Sequence, residues 1–261
     1  MYKTNKFKKN NNYVDIIVPN YNKGEFLEKA IHSVLNQTFT QWRLILIDDN
    51  SKDGSIKILK KFEKKKKIKI FYLKRNRGPS YCRNFGIKKS KSKFIAFLDS
   101  DDYWVKNKLE IQLKYMNKNS YPFTFTDYIP FIQKKKIKWL KRTKIEKIFN
   151  FSKFIFNSSI NTSTMIIKRK YLQGVFFRKI NIMEDYIFKC ELMKKKKIPF
   201  MKVDFVSAYY RIMPKSRSSK KLTNIYYLWK INKKFNNLSL FKNFLSIFLI
   251  SYNSLKKYGL K

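Results

Sequence analysis

Seventeen Asp and Glu residues face 60 Lys and Arg in this 261-residue chain, yet five of those acids crowd into Asp48-Asp49 and Asp99-Ser100-Asp101-Asp102. Neighbouring carboxylates repel one another, and grouping them calls for a compensating ligand such as a metal ion. An Asp-x-Asp at a strand end offers hard oxygen donors to Mg²⁺ or Mn²⁺, with diphosphate oxygens and water completing the octahedron. A cation held this way neutralises a departing phosphate. Taken alone, such a pair more often shapes a turn or caps a helix, but Asp99 and Asp101 directly follow the apolar run FIAFL, 94–98. Asp48-Asp49 admits two readings: a phosphoacceptor cluster of a receiver-like α/β domain, or a turn and helix cap ahead of Ser55. The Asp53-Gly54 pair supports the turn.

Other chemistries lack their residues. The chain has neither G-x-G-x-x-G nor G-x-x-x-x-G-K-[ST], which removes dinucleotide-binding and P-loop readings. Its one histidine, His32, has no accompanying nucleophile constellation and reads as a surface residue of a helix, so hydrolase triads are excluded.

The elements that must position the acids are legible between residues 14 and 120. β-Branched runs at Val14–Val18, Arg43–Ile47, Ile68–Leu73 and Phe94–Leu98 alternate with helical patterns, which predicts an α/β fold with a parallel sheet. A helix over 25–36 puts Leu27, Ile31, Val34 and Leu35 on one face, and a second over 55–63 does the same with Ile56, Leu59 and Phe62. Loops at the carboxyl ends of parallel strands converge on the ligand, and there stand Pro19-Asn20-Tyr21-Asn22, the Asp48 cluster and the Asp99 cluster. Beyond 120 the pattern loosens into mixed strands and short helices, with Lys134–Lys136 and Lys194–Lys197 as solvated turns or helix ends. After about Lys215 come two helices rich in aromatics, which either pack on the core or lie on a membrane.

A net charge of +43 with 44% hydrophobic residues describes a folded, very basic protein. Of the 60 cations 51 are Lys, alongside abundant Asn, Ile, Phe and Tyr, the composition of A/T-rich codons laid over tolerant surface positions. The charge still attracts anionic lipids and phosphorylated substrates. A nucleic-acid-binding module would use it too, but would leave the clustered carboxylates unexplained. Two cysteines exclude a disulfide scaffold and fit a reducing, cytoplasmic setting. Residues 1–12 read as a disordered basic arm, and the apolar stretch Leu238–Tyr252 is too short to span a bilayer.

The segments VDIIVPNYN (14–22), SVLNQTF (33–39), LILIDDNSKDGS (44–55), NRGPSYCRNFGI (76–87) and FLDSDDYW (97–104) resemble, in order and spacing, family-2 glycosyltransferases with the GT-A fold. The likeness is strong over 13–115 and fades in the last forty residues. It implies a catalytic domain over 13–215, with a nucleotide-sugar half at 13–115 and an acceptor half at 116–215, then C-terminal amphipathic helices over 216–261. By resemblance, Pro19, Tyr21 and Asp49 hold the base of a nucleotide-sugar, and Arg83 contacts base or diphosphate, although Cys82 stands where Ala is commoner. Asp101 maps to the metal ligand, Asp99 to a ribose or metal contact, Asp102 to their support and Trp104 to packing. Lys108 and Gln112 also match.

Downstream, Glu184-Asp185 resembles the family's acidic pair, with Asp185 as general base of an inverting transfer; by itself the pair would simply favour the positive end of a helix. Asn161, Thr162, Ser163 and Thr164 resemble the acceptor-pocket segment. Arg211 and Arg217 resemble diphosphate contacts, although in so cationic a chain a surface role is the default. The third, histidine metal ligand of some members has no counterpart here. The implied activity is transfer from a nucleoside-diphosphate sugar to a glycan or lipid-linked hydroxyl, at the inner face of a membrane, with no specific nucleic-acid partner. A nucleotidyltransferase is the rival enzyme, but this chain lacks the glycine-rich triphosphate loop that such an enzyme carries near its start.

Overall fold

The computed structural model describes residues 14–133, 137–143, 145–180, 182–213 and 221–258. The predicted basic arm, Lys134–Lys136 and the Ser216-Arg217-Ser218 loop lie outside them.

Regular alternation runs through the first half: β1 (Val14–Asn20), α1 (Gly24–Leu35), β2 (Trp42–Asp48), α2 (Ser55–Lys60), β3 (Ile68–Tyr72), α3 (Pro79–Lys89) and β4 (Phe94–Phe97). Strand β1 pairs in parallel with both β2 and β4, and β2 with the edge strand β3, and the apolar residues of β1, β2 and β4 are covered on both faces. Helix α1 packs Leu27, Ile31 and Val34 on the sheet, each at most 1% exposed. The α2 segment buries Leu59 and Phe62 beside half-buried Ile56, and His32 is exposed. One carboxylate starts both helices: Asp53 accepts from the Gly24 amide at 2.8 Å and the Ser55 amide at 2.9 Å, satisfying donors that a helix start leaves open. The α3 helix sits unusually close to the sheet, because a Cβ on Gly86 would meet Ile17 Cγ2 at 2.5 Å.

The remainder comprises β5 (Tyr103–Trp104), α4 (Lys108–Lys118), β6 (Phe123–Gln133), β7 (Ile137–Trp139), β8 (Ile148–Phe149), α5 (Phe151–Phe154), β9 (Ile166–Lys168), α6 (Glu184–Lys196), β10 (Phe200–Arg211), α7 (Lys221–Lys234) and α8 (Leu240–Tyr258). Among the described residues the strands form one sheet in the order β3-β2-β1-β4-β9-β6-β10-β5, with β7 against β6 and β8 against β10. The short β9 is antiparallel to β4 and β6, and β6 and β10 run parallel to each other. The longest pairings are therefore parallel, and one α/β sheet joins both halves.

The loosely patterned region thus holds the two longest strands, of 11 and 12 residues. Their periodicity is hidden. Most of β6 is buried, including Asp127, and β10 shifts register between Val203 and Ala208, which breaks its alternation. Lys194–Lys196 do close a helix, α6. Cys82 and Cys190 are both buried and free. No helix of the described residues is long and apolar enough to cross a membrane.

Candidate active site

The carboxyl ends of β1, β2 and β4 open onto a cavity of about 680 Å³, inside the roughly 300–1,000 Å³ of small-molecule sites. Pro19, Tyr21, Asp49, Arg83, Asp99, Asp101, Thr162, Glu184, Asp185 and Arg211 all line it. Residues 19–101 arrive from the parallel half and 162–211 from the other, so the site exists only through the joined sheet.

At the β2 end the two aspartates stabilise loops. Asp48, buried, accepts from Asn20 Nδ2 at 2.8 Å and from the Ser51 hydroxyl and amide at 2.7 and 3.0 Å. That closes the turn and leaves the phosphoacceptor reading without an accessible carboxylate. Asp49 accepts from the backbone amides of Arg77 and Gly78, both at 2.7 Å, and so shapes the cavity rim where Gly78 takes φ +84. Its neighbour Tyr21 is 45% exposed, an open aromatic face at the mouth.

At the β4 end the cluster divides its labour. Asp102 is buried, accepting from Ser163 Oγ at 2.6 Å and the Arg211 amide at 2.9 Å; burial pushes its carboxyl up, and the charges of Asp101 and Asp99 push it further. Asp99 and Asp101 instead stay partly open, each meeting one cation: Arg83 Nη2 lies 2.7 Å from Asp99 Oδ1, and Lys23 Nζ lies 2.7 Å from Asp101 Oδ2. Among the described residues no group of three or more His, Cys, Asp and Glu is placed to hold a metal. The donor set is nonetheless of the right chemistry for a divalent cation that takes one or two protein carboxylates and completes its shell from phosphate oxygens and water.

Arg83 connects the halves. Buried beneath the cavity, it bonds Asp99 and, through Nη1, Glu184 Oε1 at 3.1 Å. Burial disfavours its charge, but the two acids outweigh that and raise its pKa. On α6, Asp185 is held by Lys189, one turn later, with Nζ 2.6 Å from Oδ2, while the Thr162 hydroxyl approaches at 3.4 Å. Lys189 also donates to the Ile160 carbonyl at 2.7 Å. Burial would raise the Asp185 carboxyl; the Lys189 charge and hydrogen bond, with Arg83 behind, win and hold it below the ordinary carboxylate range. Met183 reaches α6 with φ +64, an uncommon conformation for a side chain and one concentrated at functional sites.

Two expectations change. Ser163 does not line the cavity: it is fully buried, its hydroxyl given to Asp102 and its carbonyl accepting from Trp104 Nε1 at 2.7 Å. Arg211 is no surface residue; it is 3% exposed, its Nε donates to the Asp101 carbonyl at 2.9 Å, and its guanidinium lies 4.0 Å from the Phe26 ring centroid. Trp104 packs, and Lys108 and Gln112 are buried in a shared polar network, with Lys108 Nζ 2.7 Å from Gln112 Oε1. Lys23 and Lys189 are the functional neighbours that sequence reasoning missed. Only Lys189 carried a signal, its i,i+4 spacing from Asp185.

A family model for glycosyl transferase family 2 matches residues 15–180. Over 94% of this chain and 96% of its own length, the putative teichuronic acid biosynthesis glycosyltransferase TuaG of Bacillus subtilis is 30% identical. The UDP-Glc:alpha-D-GlcNAc-diphosphoundecaprenol beta-1,3-glucosyltransferase WfgD of Escherichia coli is 32% identical over 84% of both chains. The fold matches S. aureus TarS 1-349, solved in complex with UDP-GlcNAc, with TM-score 0.71 and 19% identity over 94% of this chain and 73% of that one. The chain is therefore a GT-A glycosyltransferase and belongs to glycosyl transferase family 2, which displaces the nucleotidyltransferase and nucleic-acid readings.

Proposed function

We propose that the enzyme transfers a sugar, with inversion, from a UDP-sugar to a hydroxyl of a lipid-linked glycan in cell-envelope polysaccharide synthesis. The observation that carries this reading is that carboxylates from the β4 end and from the first turn of α6 line one cavity beside the open ring of Tyr21. The relatives support its substrates: one carries UDP-Glc and a diphosphoundecaprenol-linked sugar in its name, and a structure of like fold holds UDP-GlcNAc. With such an acceptor the enzyme works peripherally, at the inner face of the membrane.

Asp99 and Asp101 are the residues that would hold Mg²⁺ or Mn²⁺, which when bound supplies countercharge to the leaving diphosphate. Asp185 takes the proton of the acceptor hydroxyl as its oxygen bonds to the sugar's anomeric carbon, while the bond to the diphosphate breaks and its electron pair leaves with UDP. Lys189 keeps Asp185 ionised and fixed, and Arg83 holds Asp99 and Glu184 in register across the site. Substitution Asp185→Asn tests this: transfer from UDP-sugars to lipid-linked acceptors should be lost while UDP binding persists, and retained transfer would refute the assignment.

A further inference from the structure

Helix α8 is built inside out. Its stripe Phe241, Phe244, Phe248 and Tyr252, spaced at three and four residues, is 77%, 64%, 66% and 55% exposed. The opposite face buries polar residues instead: Asn243 is 1% and Ser246 0% exposed. This orientation is fixed by hydrogen bonds to the rest of the chain. Ser246 Oγ donates to the Ile155 carbonyl at 2.5 Å and accepts from Asn232 Nδ2 at 2.9 Å, and Asn243 Nδ2 donates to the Trp229 carbonyl at 3.2 Å. Turning the helix to hide its aromatics would break those bonds and strand the buried carbonyls. The exposed stripe is therefore specified by the fold, and an apolar face of this kind marks an interaction surface.

Charge identifies the occupant. From residue 205 to the last residue, 261, the chain has twelve Lys and Arg and no Asp or Glu. Lys230, Lys233, Lys234 and Lys242 on α7 and α8 are exposed. A second copy of the chain would bring two such segments into mutual repulsion, whereas an anionic bilayer meets both the cations and the aromatics. We propose that the aromatic stripe of α8 and the lysines flanking it form an in-plane docking surface for an anionic lipid bilayer. The surface is tied to the acceptor side of the site. The Tyr186 hydroxyl, next to Asp185, donates to Asn232 Oδ1 at 2.9 Å, and Asn232 is bonded to Ser246, so docking holds α6 at a set distance from the lipid. The proposal takes from the glycosyl-transfer reading only the reason a bilayer matters; lipid binding is tested apart from it.

The test uses the full chain with vesicles of phosphatidylcholine alone or mixed with phosphatidylglycerol, followed by sedimentation at low and high salt. The chain should bind the anionic vesicles and retain part of that binding at high salt, where lysine attraction is screened. The Phe241→Ser/Phe244→Ser/Phe248→Ser variant should lose about tenfold or more in vesicle affinity. It should still bind UDP, because its changes lie on an exposed face away from the cavity. Equal vesicle binding by that variant would overturn the proposal, since the lysines alone would then suffice. Failure of the wild type to bind, or a concentration-dependent dimer abolished by the same variant, would overturn it as well. Vesicle binding with no UDP binding would leave docking standing and sink the donor assignment.

Discussion

Helices α6 and α8 both break the rule of apolar inside and polar outside, in opposite senses. Into the interior α6 takes Glu184 and Lys189, 6% and 1% exposed, whereas α8 leaves Phe241 and Phe248 in water. The difference lies in partners. Each buried charge of α6 meets a counterpart, Arg83 for Glu184 and Asp185 with the Ile160 carbonyl for Lys189, so the inversion builds a site within the chain. The polar residues that α8 buries are hydrogen-bonded too, Asn243 through its Nδ2 and Ser246 through its hydroxyl, but Phe241, Phe244 and Phe248 stay largely exposed, Phe244 touching the Trp229 ring at 4.9 Å, and that inversion points outward. Under the proposed catalysis and docking, departures from local pattern mark function in both helices, and the partner tells which kind.

Substitutions should separate the two helices, beginning with the largest effect. Replacing the α6 carboxylate in Asp185→Asn should lower kcat by about 10²- to 10⁴-fold, the worth of a positioned general base, with UDP affinity by calorimetry unchanged. Arg83→Met would leave Asp99 and buried Glu184 without their shared cation, and chemical denaturation should show a loss of about 3 kcal/mol. Lys189→Met should move the pH profile of transfer. As the proposed general base Asp185 works ionised, and its folded pKa is depressed, so activity should fall only as pH drops through that low value. Without Lys189 the burial effect loses its strongest opponent, and the acid limb should shift to higher pH. In α8, Ser246→Ala should cost about 1–2 kcal/mol by leaving buried partners unbonded. Phe248→Ser should change stability by no more than about 0.5 kcal/mol, because an exposed ring contributes little to folding; a larger loss in a thermal melt would mean that the stripe is internal packing.

The first half and its acidic strand ends were legible because β-branched runs and clustered aspartates stand out in a lysine-rich sequence. Less could be read of α3, since the face it buries carries Ser80, Cys82, Arg83 and Gly86, chosen for a tight approach and a cation rather than for hydrophobicity. Strands β6 and β10 were missed because burial on both faces and a register shift erase alternation. The abundance of cations hid Lys23 among its fellows and made Arg211 look superficial, although the Asp101 carbonyl and the Phe26 ring hold it inside. The α8 spacing was visible, but which face turns outward depends on Asn232 of the preceding helix and on Ile155, far away in sequence.

The measurement that bears most directly on the central claim is calorimetric titration of UDP, with and without Mn²⁺, on the wild type and on Asp101→Asn, at salt high enough to suppress nonspecific anion binding. The account predicts binding that Mn²⁺ strengthens in the wild type and a marked loss of that metal-dependent gain in the variant. UDP binding that ignores Mn²⁺ and survives Asp101→Asn unchanged, or no UDP binding by the folded wild type, would contradict it.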